Sequence, residues 1–336
     1  MSDSAHVPPR FSADTARTGG AGGRGITGWR PSTDPIVITC ALTGGIHGKE
    51  ANPHLPEQPD EIVEQGIAAW RAGAAVLHVH ARAQDGSNTM DPAIYSELHE
   101  RLCAETDAVI QLTTGGSPRL TVQERLTTVL LAPEMCSLNM GLLNFFIQGE
   151  QVFFPNHRSD IARFAREIRA REVKPELEIY SAVMIEEAAE MLSQGVFEPP
   201  FAVNFVLNTP TQGGARGTPR NLLDLWERLD ELGVPRSELR VTVSAMGATQ
   251  LPLTTMACAM GLNVRVGMED NVFFRRGELL TSNAQLVERT VRVARELDRR
   301  PATPDEAREL LGLRGRPPRG LPAGAGATTV QTEGIR

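Results

Sequence analysis

The sequence predicts an α/β protein, a (β/α)8 TIM barrel that forms a single domain over residues 35–313. Between residues 36 and 298, short apolar runs rich in β-branched side chains alternate with amphipathic stretches of helical period. The alternation repeats eight times. Eight even β–α units are typical of a closed barrel, whereas an open doubly wound sheet rarely contains that many.

Each strand and helix candidate follows from this alternation. The apolar runs have the length and composition of buried strands, and they lie at 36–42, 74–80, 108–114, 135–141, 176–181, 201–207, 240–246 and 263–268. An amphipathic stretch follows each run in turn, at 60–72, 91–104, 121–131, 158–171, 184–195, 221–232, 250–261 and 282–298.

The two ends of the chain lack this periodicity. Residues 1–34 and 314–336 are rich in Gly, Pro, Thr and Arg, and we expect both to be flexible, disordered extensions. The segment 20–25 matches the glycine pattern of a dinucleotide-binding turn, but no candidate strand precedes it and no apolar helix follows. It therefore predicts no nucleotide site.

Composition argues against several classes of function. The 336 residues carry a formal charge of −7 without a block of basic residues, so we expect no nucleic-acid partner. No apolar run reaches the length of a membrane span and the N-terminus has no apolar signal core, so we expect no membrane association. The four cysteines are far apart and form no CxxC pair, as in a reduced compartment. Together these features predict a cytoplasmic protein.

The barrel also predicts where an active site lies, because catalytic groups in this fold come from the C-terminal ends of the strands. Polar residues collect at those ends in this sequence. Besides two histidines on the second strand they are Thr113, Thr114, Ser137, Asn139, Glu178, Asn204, Ser244, Arg265, Glu269 and Asp270.

The two histidines end the run AAVLHVH. Alternate residues of a strand face the same side, so His78 and His80 should both point into the barrel, with Val79 outward. Glu269 follows the eighth strand, and the second and eighth strands both flank the first. Two imidazoles and one carboxylate with an open position form a catalytic zinc arrangement. Hydrogen-bonded core histidines are the alternative interpretation.

The residue inventory excludes other mechanisms. A Schiff-base aldolase needs a lysine inside the barrel, but Lys49 lies in a loop and Lys174 precedes the fifth strand at its wrong end. No G-x-S-x-G nucleophile elbow occurs. A mononuclear metal site in polar surroundings remains, and such a site suits polarising a carbonyl and stabilising an enolate.

Several separate blocks, in order, make the chain resemble the β-keto acid cleavage enzymes between about Ile36 and Leu313. The blocks are ITCALTGG (38–45), NPHLPEQPDEI (52–62), GAAVLHVHARAQDG (73–86), QLTTGGS (111–117), APEMCSLNMGLLNF (132–145), KPELEIYS (174–181), VRVGMEDNVFFRRG (264–277) and the segment 282–313.

The resemblance implies a TIM barrel, typically a homotetramer, with one divalent metal, usually zinc. It implies that a β-keto acid and acetyl-CoA are converted to a new CoA ester and acetoacetate by Claisen and retro-Claisen steps. The family's metal ligands match His78, His80 and Glu269, and its catalytic residues match Asp270, Arg265 and Glu178. Its substrate-binding positions fall on Thr113 and Ser137. We add Thr114, Gly115 and Asn139 as substrate-binding candidates from the same strand ends, since glycines at 115 and 116 let a ligand approach the backbone.

Two positions bear on the substrates. Where the lysine-fermentation member of the family has a glutamate that recognises an ammonium group, this sequence has Ile46, another substrate-binding candidate. A buried ammonium left unpaired is costly, so the substrate is expected not to be 3-keto-5-aminohexanoate. The loop 209–220 is Gly-rich and carries Arg216 and Arg220, which suits either CoA phosphates or a solvated connection.

Two other functions stay open from the sequence. One is a metal-dependent aldolase or lyase that acts on a keto acid without CoA, using the same enolate chemistry. The other is a barrel that binds a ligand without catalysis, against which the complete set of His78, His80, Glu269 and Asp270 argues.

Overall fold

Eight parallel strands close into a barrel in the computed structural model, which describes residues 32–147 and 149–315. The strands are β1 (Ile38–Ala41), β2 (Val76–Val79), β3 (Val109–Leu112), β4 (Met135–Asn139), β5 (Lys174–Ile179), β6 (Phe201–Leu207), β7 (Leu239–Ala245) and β8 (Asn263–Val266). Each strand pairs with its neighbours in sequence, and β1 pairs with β8 to close the sheet. The predicted TIM barrel is therefore confirmed.

Helices cover the outside of the barrel. They are α1 (Pro59–Ala72), α2 (Pro92–Glu105), α3 (Val122–Arg125), α4 (Thr127–Leu130), α5 (Arg158–Ala170), α6 (Ala182–Ser193), α7 (Pro219–Arg228), α8 (Gln250–Ala259), α9 (Ala284–Glu296) and α10 (Pro304–Leu311). None of the described helices is both long and apolar enough to cross a membrane.

Local sequence explains where helices begin and end, as α1 shows. Pro59 occupies the first turn, where a missing N–H costs nothing. The Glu61 side chain accepts a hydrogen bond from the Gln58 N–H at 3.1 Å, and Gly73 ends the helix in the left-handed conformation.

Two predicted boundaries need correction. The predicted helix 121–131 is split into α3 and α4 at Leu126, because the Thr127 hydroxyl donates to the Glu124 carbonyl at 2.7 Å and competes with the helical hydrogen bonds. The fifth strand begins at Lys174 rather than after it. The Lys174 ammonium donates to the Pro200 carbonyl at 3.1 Å, at the N-terminal end of the barrel, so its exclusion from the active site is unchanged.

The structure adds elements that the alternation did not reveal. Three small hairpins lie beyond strand ends, pairing Ala81–Arg82 with Asn88–Thr89, Leu143–Ile147 with Glu150–Phe154, and Phe273–Arg275 with Glu278–Leu279. The helix α10 packs at the N-terminal end of the barrel, where Ala307 and Leu311 join a buried cluster with strand residues.

The predicted terminal extensions are largely outside the described residues. These undescribed parts are residues 1–31, which include the glycine segment at 20–25, and residues 316–336.

Candidate active site

The turn after β8 brings two carboxylates to the mouth of the barrel. Gly267 has φ +145°, and a Cβ atom there would lie 2.0 Å from the Ala41 carbonyl oxygen, so only glycine fits between β8 and β1. The Asp270 and Asn271 N–H groups both donate to the Gly267 carbonyl, at 3.2 and 3.1 Å. This tight turn fixes Glu269 and Asp270 over the barrel.

Glu269 meets both histidines of β2. Its carboxylate oxygens lie 3.5 Å from Nε2 of His78 and 3.5 Å from Nε2 of His80. One ligand atom from each residue can be chosen so that all three lie within 4.8 Å of one another. Ligands about 2.1 Å from one tetrahedral zinc ion lie about 3.4 Å apart. The predicted ligand set is therefore assembled by the fold.

His78 is held in the form that can bind a metal. Its Nδ1 lies 2.7 Å from Oε1 of Gln111, and the Gln111 amide donates to Glu176 at 3.1 Å. That second bond orients the amide so that its oxygen faces Nδ1, which must then carry the proton and leave Nε2 with a free lone pair. Burial also lowers the pKa of His78 to about 3, which keeps the imidazole neutral.

The donor set fits a divalent cation. Oε2 of Glu269 is buried and accepts no hydrogen bond from the residues that the structure describes. A buried carboxylate oxygen without a partner is costly unless a cation takes its lone pair. Neutral imidazole nitrogens and a carboxylate are the donors that zinc prefers, although related divalent ions accept them as well.

Gly44 makes room for this arrangement. Since β1 lies between β8 and β2, Glu269 reaches the histidines across the end of β1. A Cβ atom at Gly44 would lie 2.3 Å from Cγ of Glu269. The glycine that follows β1 thus lets the carboxylate pass.

Arg265 connects the metal candidates to the other acids. Its guanidinium forms a bidentate pair with Asp270 at 3.0 and 2.9 Å, and it donates to Oε1 of Glu269 at 2.6 Å. A third contact, at 3.3 Å, reaches Glu178 on β5, whose other oxygen accepts from the Tyr180 hydroxyl at 3.3 Å. All of these side chains are at least mostly buried.

The site contains more carboxyl groups than arginines. For Glu269, burial opposes ionisation, but Arg265 and the two imidazoles outweigh it and lower the pKa. For Asp270, burial outweighs the Arg265 charge and raises the pKa to about 6. Burial likewise raises the pKa of Glu178 to about 8. One guanidinium facing three carboxyl groups leaves negative charge for a cation to balance.

The β3 candidates divide into two roles. The Thr113 hydroxyl accepts from the Gly115 N–H at 2.8 Å, so its own proton can be donated elsewhere. Gly115 lies beside the His80 ring, since a Cβ there would be 3.9 Å from Cε1 of His80. The buried Thr114 hydroxyl instead donates to the Ser137 carbonyl at 2.7 Å and ties β3 to β4.

The remaining candidates occupy the mouth from other sides. Ser137 and Asn139 are buried on β4, where Asn139 stands in register with Glu178. Oδ1 of Asn139 is buried and has no hydrogen-bond partner among the described residues. Ile46 is partly buried in the loop after β1, in which the Gly45 carbonyl accepts from the Asn88 amide at 3.0 Å.

Sequence reasoning missed Gln111, Gly44 and Tyr180. Gln111 lies within an apolar run, and a polar residue at the centre of a buried strand was the signal that could have found it. Gly44 was quoted within a motif, but only the reach of Glu269 across β1 shows its role.

Comparison with known proteins finds relatives that match this chain over nearly their whole length. A model of the beta-keto acid cleavage enzyme family matches residues 35–313. A 3-keto-5-aminohexanoate cleavage enzyme of Acetoanaerobium sticklandii is 40% identical over 286 residues, which cover 83% of this chain and 99% of the relative. A 3,5-dioxohexanoate:acetyl-CoA acetone transferase of Paraburkholderia graminis is 35% identical over 302 residues, 83% of this chain and 96% of the relative.

Solved structures agree on the architecture. The apo structure of ObcA superposes with a TM-score of 0.68 at 18% identity, covering 78% of this chain and 66% of that one, which shows a shared fold. The family model spans most of the chain, and the Acetoanaerobium relative is similar over nearly its whole length. The chain therefore belongs to the β-keto acid cleavage enzyme family.

Proposed function

We propose that this protein is a metal-dependent β-keto acid:acetyl-CoA C-acetyltransferase. It converts a β-keto acid, R–CO–CH2–COO−, and acetyl-CoA into R–CO–SCoA and acetoacetate. The observation that carries the proposal is the convergence of His78, His80 and Glu269 beside the Arg265–Asp270 pair. The name of the Paraburkholderia relative, an acetyl-CoA-dependent transferase, supports acetyl-CoA as the second substrate.

His78, His80 and Glu269 would hold the metal, for which we propose zinc. When bound there, a divalent cation would polarise the keto group and favour enolate formation. Gln111 keeps the Nε2 lone pair of His78 directed to the site, and Gly44 leaves Glu269 free to reach it.

Asp270 is the proposed base. It takes a proton from the methylene carbon of the keto acid, and the resulting enolate attacks the thioester carbonyl of acetyl-CoA and releases the CoA thiolate. The thiolate then attacks the original ketone. Cleavage of the bond between that carbonyl and the former methylene carbon gives the new CoA ester, and the carbon regains its proton from Asp270 to form acetoacetate. The raised pKa of Asp270 suits a group that both removes and returns a proton near neutral pH.

The other residues bind and orient. Arg265 fixes the direction of the Asp270 carboxylate through two parallel hydrogen bonds. Glu178, contacted by Arg265 and Tyr180, is the third proposed catalytic residue and can hold or supply a proton beside the thioester. We propose that Thr113, Gly115, Ser137 and Asn139 contact the keto acid, with Thr114 spacing the strands beneath it.

Ile46 leads us to propose a β-keto acid without an ammonium group on its side chain. An isoleucine in the mouth loop offers apolar surface and no counter-charge. We further propose that the protein is cytoplasmic and assembles as a homotetramer, as the sequence resemblance implies.

A panel of β-keto acids with acetyl-CoA labelled in its acetyl carbons tests the function. We expect the label in acetoacetate and an unlabelled acyl group on the new CoA ester, both read by mass spectrometry. Turnover that persists without acetyl-CoA would identify an aldolase or lyase instead. Ligand binding without turnover, unaffected by Asp270→Asn, would identify a non-catalytic barrel.

A further inference from the structure

A groove lies beside the proposed active site at the mouth of the barrel. One wall is the hairpin with strands 143–147 and 150–154, which follows β4, and the other is the loop 208–216, which follows β6. The groove has a volume of about 770 Å³. Because β5 lies between β4 and β6, the groove stands over the end of the strand that carries Glu178.

Hydrogen bonds connect both walls. The Phe146 N–H donates to the Pro210 carbonyl at 2.6 Å, and the Gln212 N–H donates to the Asn144 carbonyl at 2.8 Å. The Gln212 side chain also accepts from Asn144 at 3.0 Å and from Gln151 at 2.9 Å. These hydrogen bonds hold the two walls together, and the bonded segments form the floor of the groove.

Two links join this floor to the proposed catalytic residues. The Ala215 N–H donates to the Tyr180 carbonyl at 2.7 Å, and the Tyr180 hydroxyl donates to Glu178. On the other side, the Asn208 amide donates to the Met246 carbonyl at 3.2 Å, and the next N–H, of Gly247, donates to the Asp270 carbonyl at 2.8 Å. The floor of the groove is therefore held against the segments that carry Glu178 and Asp270.

The chemistry of the groove suits a long, amphipathic and anionic ligand. Phe145 and Phe146 supply aromatic surface, and the Phe146 side chain is 62% exposed. Arg216 is exposed in the lining, none of the described lining residues is acidic, and Arg216 has no ion-pair partner within 32–147 and 149–315. In a chain of net charge −7, a wall without carboxylates favours phosphate groups.

We propose that this groove binds the coenzyme A part of the thioester substrate. The pantetheine arm lies along Phe145 and Phe146 with its thioester toward Glu178, and the nucleotide phosphates lie near Arg216. The inference rests on the proposed function, which requires a CoA ester to reach Asp270.

Binding of CoA itself, measured by isothermal titration to the zinc-loaded full-length protein, tests the groove without turnover. We expect Arg216→Ala to weaken CoA binding about tenfold, the effect of one charged hydrogen bond to phosphate, and Arg216→Lys to retain most of the affinity. The matched control is Arg292→Ala, an exposed arginine on α9, which should leave the affinity unchanged.

Pantetheine separates the two ends of the groove. Arg216→Ala should leave pantetheine binding unchanged, whereas Phe146→Ala should weaken pantetheine and CoA by the same factor. If the wild-type protein binds CoA and both variants bind it equally well, the proposed CoA site is wrong, while the proposed function is unaffected. A wild-type protein that binds no CoA would overturn the proposed function with it.

The exposed hairpin also suggests a different occupant, a second copy of the chain. If Phe146→Ala changes the oligomeric state in analytical ultracentrifugation while CoA affinity stays the same, the groove is a subunit contact and the proposal is wrong.

Discussion

Nδ1 of His78 lies 2.7 Å from Oε1 of Gln111, whose amide donates in turn to Glu176 on β5, two strands away around the barrel. The contact arises from register, because residues 78 and 111 are paired on adjacent parallel strands. It makes one imidazole tautomer the stable one, and that tautomer presents Nε2 to Glu269.

Gln111→Leu should therefore weaken zinc binding about 10- to 100-fold, the usual effect of removing a partner of a metal-bound histidine. Competition with a chelator of known affinity measures the change. Gln194→Leu is a matched control, since the Gln194 amide also donates to a glutamate, Glu190, but on an exposed helix end. Equal zinc affinity in wild type and Gln111→Leu would show that the contact only fills space.

Gly44→Ala should displace Glu269 and lower metal occupancy after dialysis, because the added methyl group collides with a buried side chain pinned by Arg265. Gly48→Ala in the same loop is the control. Its Cβ would also meet carboxylates, 2.4 Å from Glu50 and 2.7 Å from Glu57, but Glu50 is exposed and can move. Metal analysis that finds both variants fully loaded would refute the role of Gly44.

Removal of the metal should destabilise the protein. The apo site leaves Oε2 of Glu269 unpaired and three carboxyl groups around one guanidinium. Zinc at a thousand times its Kd should stabilise the fold by about 4 kcal/mol, and thermal unfolding should shift upward by several degrees.

The double variant His78→Ala, His80→Ala should abolish that shift. Magnesium should produce a smaller one in the wild type, because it prefers oxygen ligands. A wild-type Tm that does not respond to zinc would contradict the metal site.

Ile46→Glu should raise activity toward 3-keto-5-aminohexanoate about tenfold or more, since the new carboxylate can pair with the substrate ammonium. The higher activity should come from a lower KM for this substrate, and Ile46→Leu should not show it. If the glutamate variant loses activity toward every keto acid of the panel and gains none toward this one, Ile46 does not determine the substrate.

At the opposite end of the barrel, Arg308 of α10 forms a buried bidentate pair with Glu134 at 2.6 and 2.8 Å. Arg308→Met should cost about 3–5 kcal/mol in the free energy of unfolding, because it leaves a buried carboxylate uncompensated. Denaturant unfolding measures this. Arg300→Met, which breaks an exposed pair with Glu306, should leave the free energy of unfolding nearly unchanged. Equal losses in the two variants would contradict the assignment.

The sequence by itself determined the barrel and the order of its strands. Hydrophobic alternation is a local property, and it survives in the chain whether or not the strands have met. The same pattern predicted that His78 and His80 share a face, because side-chain direction in a strand has a period of two. Single-turn elements such as α3 and α4 depend on bonds to neighbouring segments, and the alternation did not resolve them.

The predicted barrel already implied that Glu269 lies near the two histidines, but only the tertiary structure decided the distances and the residues that support this contact. Closure of β8 against β1 brings Glu269 past Gly44 to the histidines of β2, and the register of β2 with β3 places Gln111 behind His78. The groove between the hairpin strands 143–147 and 150–154 and the loop 208–216 exists only because β4 and β6 end on either side of β5. These contacts join residues far apart in the chain, and their geometry is set by the register between strands, which the local alternation does not encode.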